Sequence, residues 1–185
     1  TNEPQHSKGK KDKMNYKYEI DKNGFVILNE IISIQETEEI CKNIIAYANI
    51  FRQKINSDSG ISSQPINSKS ELNKFLIWLD KYNNEYLFLF VKLVSQLQKV
   101  KQMACNDNFL QSASDLLDLP KNELLIGGIS FLVNTPSSKR LIYHWHNARN
   151  GYPKRNLYVN YWAPIIRNKR KNNGTLFVAK NSHLE

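Results

Sequence analysis

The chain has 185 residues, of which 41% are hydrophobic and 11% aromatic. This length and composition are typical of one domain with a sizeable core, and they exclude a compositionally disordered protein. The net charge of +9 would suit an anionic partner, but the basic residues concentrate in a polar leader and one loop without the aromatic interleaving of an RNA-binding surface. We therefore expect no nucleic-acid partner.

Cysteine content and hydropathy indicate the cellular compartment in which we expect the protein. Cys41 and Cys105 form no Cys-x-x-Cys pair and no disulfide framework. No run of about 18 apolar residues and no apolar signal segment occurs, which predicts no membrane partner and no secretion. The sequence therefore indicates a reduced, cytoplasmic protein. Its first residue is Thr rather than Met, so we expect a piece of a longer chain.

The N-terminal third predicts a leader, a strand and a helix. Residues 1–16 are polar and lysine-rich and predict a flexible leader. Phe25–Leu28 predicts a short strand after the Asn23-Gly24 turn. The capping-box sequence Ser33–Glu36 opens a predicted amphipathic helix from Ser33 to Arg52. The apolar residues of this helix recur at helical spacing: Ile40, Cys41, Ile44, Ile45, Ala48 and Phe51.

The middle of the chain predicts further helices. Residues 53–70 are rich in Ser, Asn, Asp, Gly and Pro and predict a loop. Helices are predicted over Leu72–Leu79, Tyr86–Val100 and Phe109–Leu119. The predicted core stripe of the second of these is Leu89, Leu93, Leu97 and Val100.

After Pro120 the pattern changes from helix to strand. Strand-forming side chains dominate five segments: Leu124–Ile126, Ile129–Asn134, 141–147, 157–165 and 175–179. Helices followed by strands predict an α+β fold in a single domain over residues 17–185. Its helical part would span about 30–119 and its β part about 123–185.

Two histidines stand out in the β part. His144 and His146 lie two residues apart in a predicted strand, where alternate side chains share a face, and Ala148 follows on that face. Both imidazoles could therefore point into one cavity, which is what a metal site on a β scaffold needs.

Four motifs in order give the sequence a resemblance to a known family: Leu132–Pro136, Trp145–Ala148, Tyr161–Ile165, and Asn173–Leu176 leading to Asn181-Ser182-His183. In this order and spacing they resemble the phytanoyl-CoA dioxygenase family of Fe(II)/2-oxoglutarate-dependent oxygenases. The resemblance extends from about Gly24 to His183 and is best from Ile129 onward.

This resemblance implies a fold and a reaction. The helices would pack on a double-stranded β-helix, a jelly-roll or cupin-like barrel whose C-terminal strands this chain lacks. The family holds iron with two histidines and a carboxylate. Its members use Fe(II), 2-oxoglutarate and O2, which here would hydroxylate an unknown small molecule.

The resemblance also assigns site residues. His146 matches the first histidine ligand, and Ala148 stands where the family has its carboxylate. Phe131, Asn147 and Trp162 match positions around the 2-oxoglutarate pocket. The second histidine and the arginine that binds 2-oxoglutarate are expected beyond residue 185, because His183 matches a turn of the family rather than a ligand.

The alanine at the carboxylate position leaves three alternatives open. His144 could replace the lost ligand. A halogenase-like enzyme could use the vacancy created by Ala148 to bind chloride, as related iron halogenases do. The chain could also be a non-catalytic barrel that binds a ligand or a partner. No Asp or Glu lies between Glu123 and Glu185 to substitute for the carboxylate.

Basic residues after the predicted histidine strand bear on the substrate. Arg149, Lys154 and Arg155 could meet an anionic substrate. The alternative is a solvated turn around Gly151 and Pro153.

Overall fold

The structure, a computed structural model, describes residues 16–29, 31–55, 64–135, 158–166, 178 and 180. The chain divides into two compact units, residues 1–27 with 178–185, and residues 28–177.

The first unit contains one described helix, α1, which spans Tyr16–Asn23. The Asn23 amide donates to the Glu19 carboxylate at 2.6 Å. Gly24 then takes a φ of 81° and donates its N–H to the Ile20 carbonyl at 2.8 Å. A glycine after the last helical residue reaches this conformation without a steric penalty, so the predicted turn is confirmed. The predicted strand at Phe25–Leu28 is wrong, because these residues form no regular element.

The described part of the second unit is helical. Its elements are α2 (Ile34–Ile55), α3 (Lys69–Tyr82), α4 (Asn84–Val94), α5 (Gln98–Ala104), α6 (Asp107–Leu117) and a short 3₁₀ helix (Lys121–Glu123). The helices predicted over 33–52, 72–79 and 109–119 are therefore confirmed as α2, α3 and α6, with ends that differ by a few residues. No helix in the described ranges is long and apolar enough to cross a membrane.

Capping residues define where α2 and α3 begin. The Ser33 N–H donates to the Glu36 carboxylate at 2.9 Å, and the Glu36 N–H donates to the Ser33 hydroxyl at 3.1 Å. This reciprocal pair is the predicted capping box. Ser68 and Glu71 make the equivalent start of α3, where the Glu71 N–H donates to the Ser68 hydroxyl at 3.2 Å.

The helix predicted over Tyr86–Val100 is two helices, because the chain turns between Val94 and Gln98. Ser95 keeps a helical backbone and its hydroxyl donates to the Val91 carbonyl at 2.9 Å. Leu97 has a ψ of 134°, which no helix accommodates, and α5 starts after it.

The core lies among α2, α3, α4 and α5. Phe90 is 2% exposed and packs its ring against Tyr47, Phe51 and Phe75, with ring centroids 5.3–5.8 Å apart. Burial of one such side chain contributes about 1.5–3 kcal/mol. The other fully or largely buried apolar residues include Ile40, Ile44, Ala48, Ile66, Leu72, Leu76, Leu79, Leu87, Val94 and Val100.

The buried face of α4 differs from the predicted stripe. Leu87, Phe90 and Val94 are buried, whereas Leu89 and Leu93 are exposed. This helix is apolar on nearly every face, so its periodicity could not identify which face meets the core.

The predicted α+β fold with its double-stranded β-helix, or jelly-roll barrel, is wrong. Within the described ranges every regular element is a helix, and residues 124–135 and 158–166 form no strand. Ile129, Phe131 and Val133 do alternate with exposed residues, but they pack on the helical core rather than on a second sheet. The alternation of partly buried and exposed residues therefore reflects one side of the segment packed on the helices, and it does not indicate a sheet. The predicted strand at 141–147 lies outside the described residues, as does most of the one at 175–179.

Candidate functional site

The predicted site residues fall into two groups. Phe131 and Trp162 belong to the described segments, whereas His144, His146, Asn147 and Ala148 lie outside them, as does the predicted turn residue His183. Two described segments flank the predicted histidine ligand along the chain, residues 124–135 before it and 158–166 after it.

The segment before the histidines is fixed to the end of α4 at Phe131. Its N–H donates to the Ser95 hydroxyl at 3.1 Å, while that hydroxyl donates to the Val91 carbonyl. The Phe131 side chain is partly buried against the helical core. One serine therefore both ends the predicted long helix and holds the extended segment.

The segment after the histidines is fixed to α6 at Tyr161. The Tyr161 and Ser112 hydroxyls lie 2.8 Å apart, and the Tyr161 and Phe109 ring centroids lie 4.9 Å apart. Ser112 already donates its hydroxyl proton to the Phe109 carbonyl at 2.9 Å, so Tyr161 is the donor to Ser112. Burial raises the pKa of Tyr161 above its usual range; the hydrogen bond with Ser112 offsets part of this rise, and the nearby Asp115 carboxylate adds to it.

Trp162 follows this anchor and is 40% exposed. Ile165 and Ile166 then pack on the same helical core as Phe131. The structure thus brings the two flanking segments onto one helical scaffold, with Phe131 turned toward the core and the Trp162 side chain half open to solvent.

The residues that anchor these segments were missed by the sequence patterns. Ser112 is buried between Phe109 and Leu116 on the inner stripe of α6. A serine at an apolar stripe position was the available signal, because a buried hydroxyl needs a hydrogen-bond partner. Ser95 gave a weaker signal, since it lies among other polar residues such as Lys92 and Gln96.

A cavity of about 280 Å³ lies beside the first segment. It is lined by Ser95, Gln96, Lys101, Cys105 and residues 126–129. Lys101 is its cationic group. This volume is just below the usual range of ligand sites, which begins at about 300 Å³, and the cavity is only partly enclosed.

The described residues do not by themselves provide an iron centre. All four histidines of the chain, His6, His144, His146 and His183, lie outside them. Among the residues that are described, no group of three or more His, Cys, Asp or Glu could hold a metal ion. Any iron site would therefore depend on the histidine segment, and no step of iron chemistry is derived from the helical part.

Comparison with known proteins adds no relative. No family model, no curated protein and no solved structure matches the chain. The resemblance between residues 129–183 and the phytanoyl-CoA dioxygenase family therefore rests on its four short motifs.

Proposed function

We propose that this chain is part of an Fe(II)/2-oxoglutarate-dependent dioxygenase that hydroxylates a small molecule. The observation that carries the proposal is the order of four motifs, from Asn134-Thr135-Pro136 through Trp145-His146 and Tyr161–Pro164 to Asn181-Ser182-His183. The proposal concerns the chemistry of these residues and assumes no barrel.

The anchors of the flanking segments support this proposal. The Phe131–Ser95 and Tyr161–Ser112 hydrogen bonds hold the described chain on both sides of His146 to the helical scaffold. A site needs its ligand-bearing segment positioned by fixed elements, and these two bonds are of the kind that would do so.

In this proposal His146 supplies an imidazole ligand, and Asn147 and Trp162 contribute to the 2-oxoglutarate pocket. Phe131 would act from its partly buried position at the pocket wall. Fe(II) and 2-oxoglutarate would supply the oxidising chemistry when bound. The protein's own contribution would be to orient the substrate and exclude water.

Anaerobic titration of the full-length protein with Fe(II) and 2-oxoglutarate tests the proposal. We expect wild type to bind Fe(II), to develop a visible absorption band when 2-oxoglutarate is added, and to form succinate in air. The His146→Ala variant should lose all three signals. The His183→Ala variant is the matched control and should keep them, because His183 is proposed as a turn residue. A wild-type protein that binds no Fe(II) and consumes no 2-oxoglutarate would contradict the proposal.

Ala148 allows the same titration to test the ligand register and the type of product. Carboxylates are strong ligands in iron sites of this kind, so Ala148→Asp should bind Fe(II) more tightly than wild type. If instead wild type needs chloride and releases a halogenated product, the halogenase alternative is correct.

A second candidate is non-catalytic binding of a small anion in the cavity beside Lys101. It is favoured by the cavity itself and by the alanine at the carboxylate position. Titration with small mono- and dicarboxylates should then raise the melting temperature of wild type. Lys101→Met should abolish that shift, whereas Lys92→Met, an exposed lysine outside the cavity, should preserve it.

A further inference from the structure

A continuous series of hydrogen bonds links the start of α2 to Tyr161. The Glu36 carboxylate, which closes the capping box of α2, also accepts from the Asn106 amide at 3.0 Å. The Asn106 side-chain oxygen accepts from the Phe109 N–H at 2.9 Å and so caps α6. Phe109 then contacts the anchor in two ways, because its carbonyl accepts from the Ser112 hydroxyl and its ring packs on the Tyr161 ring. Ser112 completes the series by bonding the Tyr161 hydroxyl.

The helix that carries this anchor, α6, lies outside the main core. Its buried apolar residue Leu116 is 5% exposed but does not belong to the core cluster. The ion pair between Lys121 and Asp107 joins α6 to the following 3₁₀ helix rather than to the core. Within the part of the chain that the structure describes, no other hydrogen bond joins α6 or its cap to α2, α3 or α4. The Asn106–Glu36 bond therefore fixes where the N-terminal end of α6 lies.

The two sides of the proposed site rest on different helices. Phe131 is held at the end of α4 by Ser95, whereas Tyr161 is held on α6 with Trp162 next to it in the chain. Residues 165–166 pack on the core and hold the far end of the second segment. A shift of α6 relative to α4 would therefore change where the Tyr161 end of this segment lies relative to Phe131.

We infer that the bond between Asn106 and Glu36 holds α6 against α2 and thereby positions Tyr161. Trp162 would be positioned with it, and the consequence for a 2-oxoglutarate pocket rests on the proposed function. Asparagine suits position 106 because its oxygen accepts as a helix cap while its amide donates to Glu36. Aspartate would cap α6 equally well, but it would face Glu36 with a second carboxylate.

Reversal of donor and acceptor tests this inference. Asn106→Asp keeps a capping oxygen for the Phe109 N–H but replaces the donor with a carboxylate. The double variant Glu36→Gln/Asn106→Asp restores the bond in the opposite direction, and glutamine also fits a capping box. Asn83→Asp is the matched control, because Asn83 caps α4 by accepting from the Glu85 N–H at 2.9 Å and takes no part in this series.

Chymotrypsin cleavage after Tyr161, located by mass spectrometry, reports the position of the segment, because the ring must leave Phe109 to enter the protease. We expect Asn106→Asp to speed this cleavage about tenfold and the double variant to return it to within about threefold of wild type. Asn83→Asp should leave it unchanged, with equal helix content throughout. Asn106→Ser, which keeps a capping hydroxyl and adds no charge, should also speed cleavage.

Unchanged cleavage in both Asn106 variants would overturn the inference, as would a double variant that is cleaved as fast as Asn106→Asp. Titration of the iron-loaded full-length protein with 2-oxoglutarate extends the test to the site. Asn106→Asp should need more 2-oxoglutarate for half-maximal absorption, and the double variant should not; an unchanged requirement would overturn the extension to Trp162. If wild type binds no iron, the proposed function fails while the cleavage rates still decide the inference.

Discussion

The helices between Ile34 and Leu117 and the extended segments around Phe131 and Tyr161 satisfy their backbones in different ways. The helices pair their own N–H and C=O groups, and α2, α3, α4 and α6 begin at nearby capping side chains, as Ser33 and Glu36 do for α2. The extended segments take side-chain partners from distant helices instead: Ser95 for Phe131 and Ser112 for Tyr161.

This difference separates the stable helical core from the segments that flank the proposed site. The helical core can form from local patterns and packing, whereas the segments that flank the predicted histidine ligand depend on a few bonds to that core. Regions with few internal hydrogen bonds open at low free energy, and binding loops are drawn from such regions. We therefore expect substitutions in the core to lower the stability of the whole fold, and substitutions in the extended segments to have smaller and more local effects.

The largest expected effect is in the helical core. Phe90→Ala should lower the free energy of unfolding by about 3–5 kcal/mol, because it removes a ring that contacts three other aromatic rings. Phe88→Ala is the matched control on the same helix, where the ring is 64% exposed. Urea denaturation followed by circular dichroism measures both. Equal losses for the two variants would mean that α4 does not bury Phe90 in preference to Phe88.

A smaller effect is expected where a loop crosses the helices. The Asn49 side chain donates to the Ile66 carbonyl at 2.9 Å and accepts from the Ile66 N–H at 2.8 Å. Asn49→Ala should therefore cost about 1–3 kcal/mol, because two backbone groups of a buried residue lose their partner. Asn43→Ala, which loses one exposed bond to the Glu39 carbonyl, should cost much less in the same denaturation experiment.

The anchor of the second extended segment should have a local effect. Tyr161→Phe removes the hydroxyl that donates to Ser112 and should cost about 1 kcal/mol or less of global stability. Limited proteolysis or hydrogen exchange should nevertheless show faster opening over residues 158–166 with unchanged helices. Tyr82→Phe, an exposed tyrosine on α3, serves as control. Slower or unchanged opening in Tyr161→Phe would show that the hydroxyl contributes nothing to the anchor.

The smallest expected effect is a pH dependence at the start of α2. The Ser33 N–H, the Ser33 hydroxyl and the Asn106 amide hold the pKa of Glu36 below its usual range. A carboxyl with a lower pKa in the folded chain adds stability above its unfolded pKa, and this contribution is lost as the pH falls through the folded value. Wild type should therefore lose stability more steeply than Glu36→Gln below about pH 4.3, as thermal melts can measure. If the stabilities of wild type and Glu36→Gln fell in parallel with pH, Glu36 would not have this role.

The helical part of the fold was largely predictable because its signals are local. A capping box and a 3.6-residue period gave the start of α2 and all of its buried apolar residues, and the remaining predicted residue, Ile45, is partly buried against the same core. The break between α4 and α5 was not predictable, since Ser95 tolerates both helix and turn. The buried face of α4 was not predictable either, because this helix carries apolar residues on nearly every face.

The extended segments were harder to predict because their partners are distant in sequence. Alternation at Ile129, Phe131 and Val133 correctly indicated one buried face, but it carries no information about whether a sheet or a helix layer covers that face. The same limit applies to the site. The order of motifs assigned Phe131 and Trp162 to the proposed site. It could not indicate Ser95 and Ser112, which lie 36 and 49 residues before their partners Phe131 and Tyr161.

Residue-resolved hydrogen exchange at low protein concentration tests the contrast between the two regions most directly. The amides of the buried helix residues Leu76, Leu79 and Phe90 should exchange only through global unfolding. Those of Gly127, Ser130 and Leu132 should exchange orders of magnitude faster in the monomer, because they have no partner in the described structure. Equal protection of both sets in the monomer would contradict the account, since it would require the extended segment to be paired within the chain.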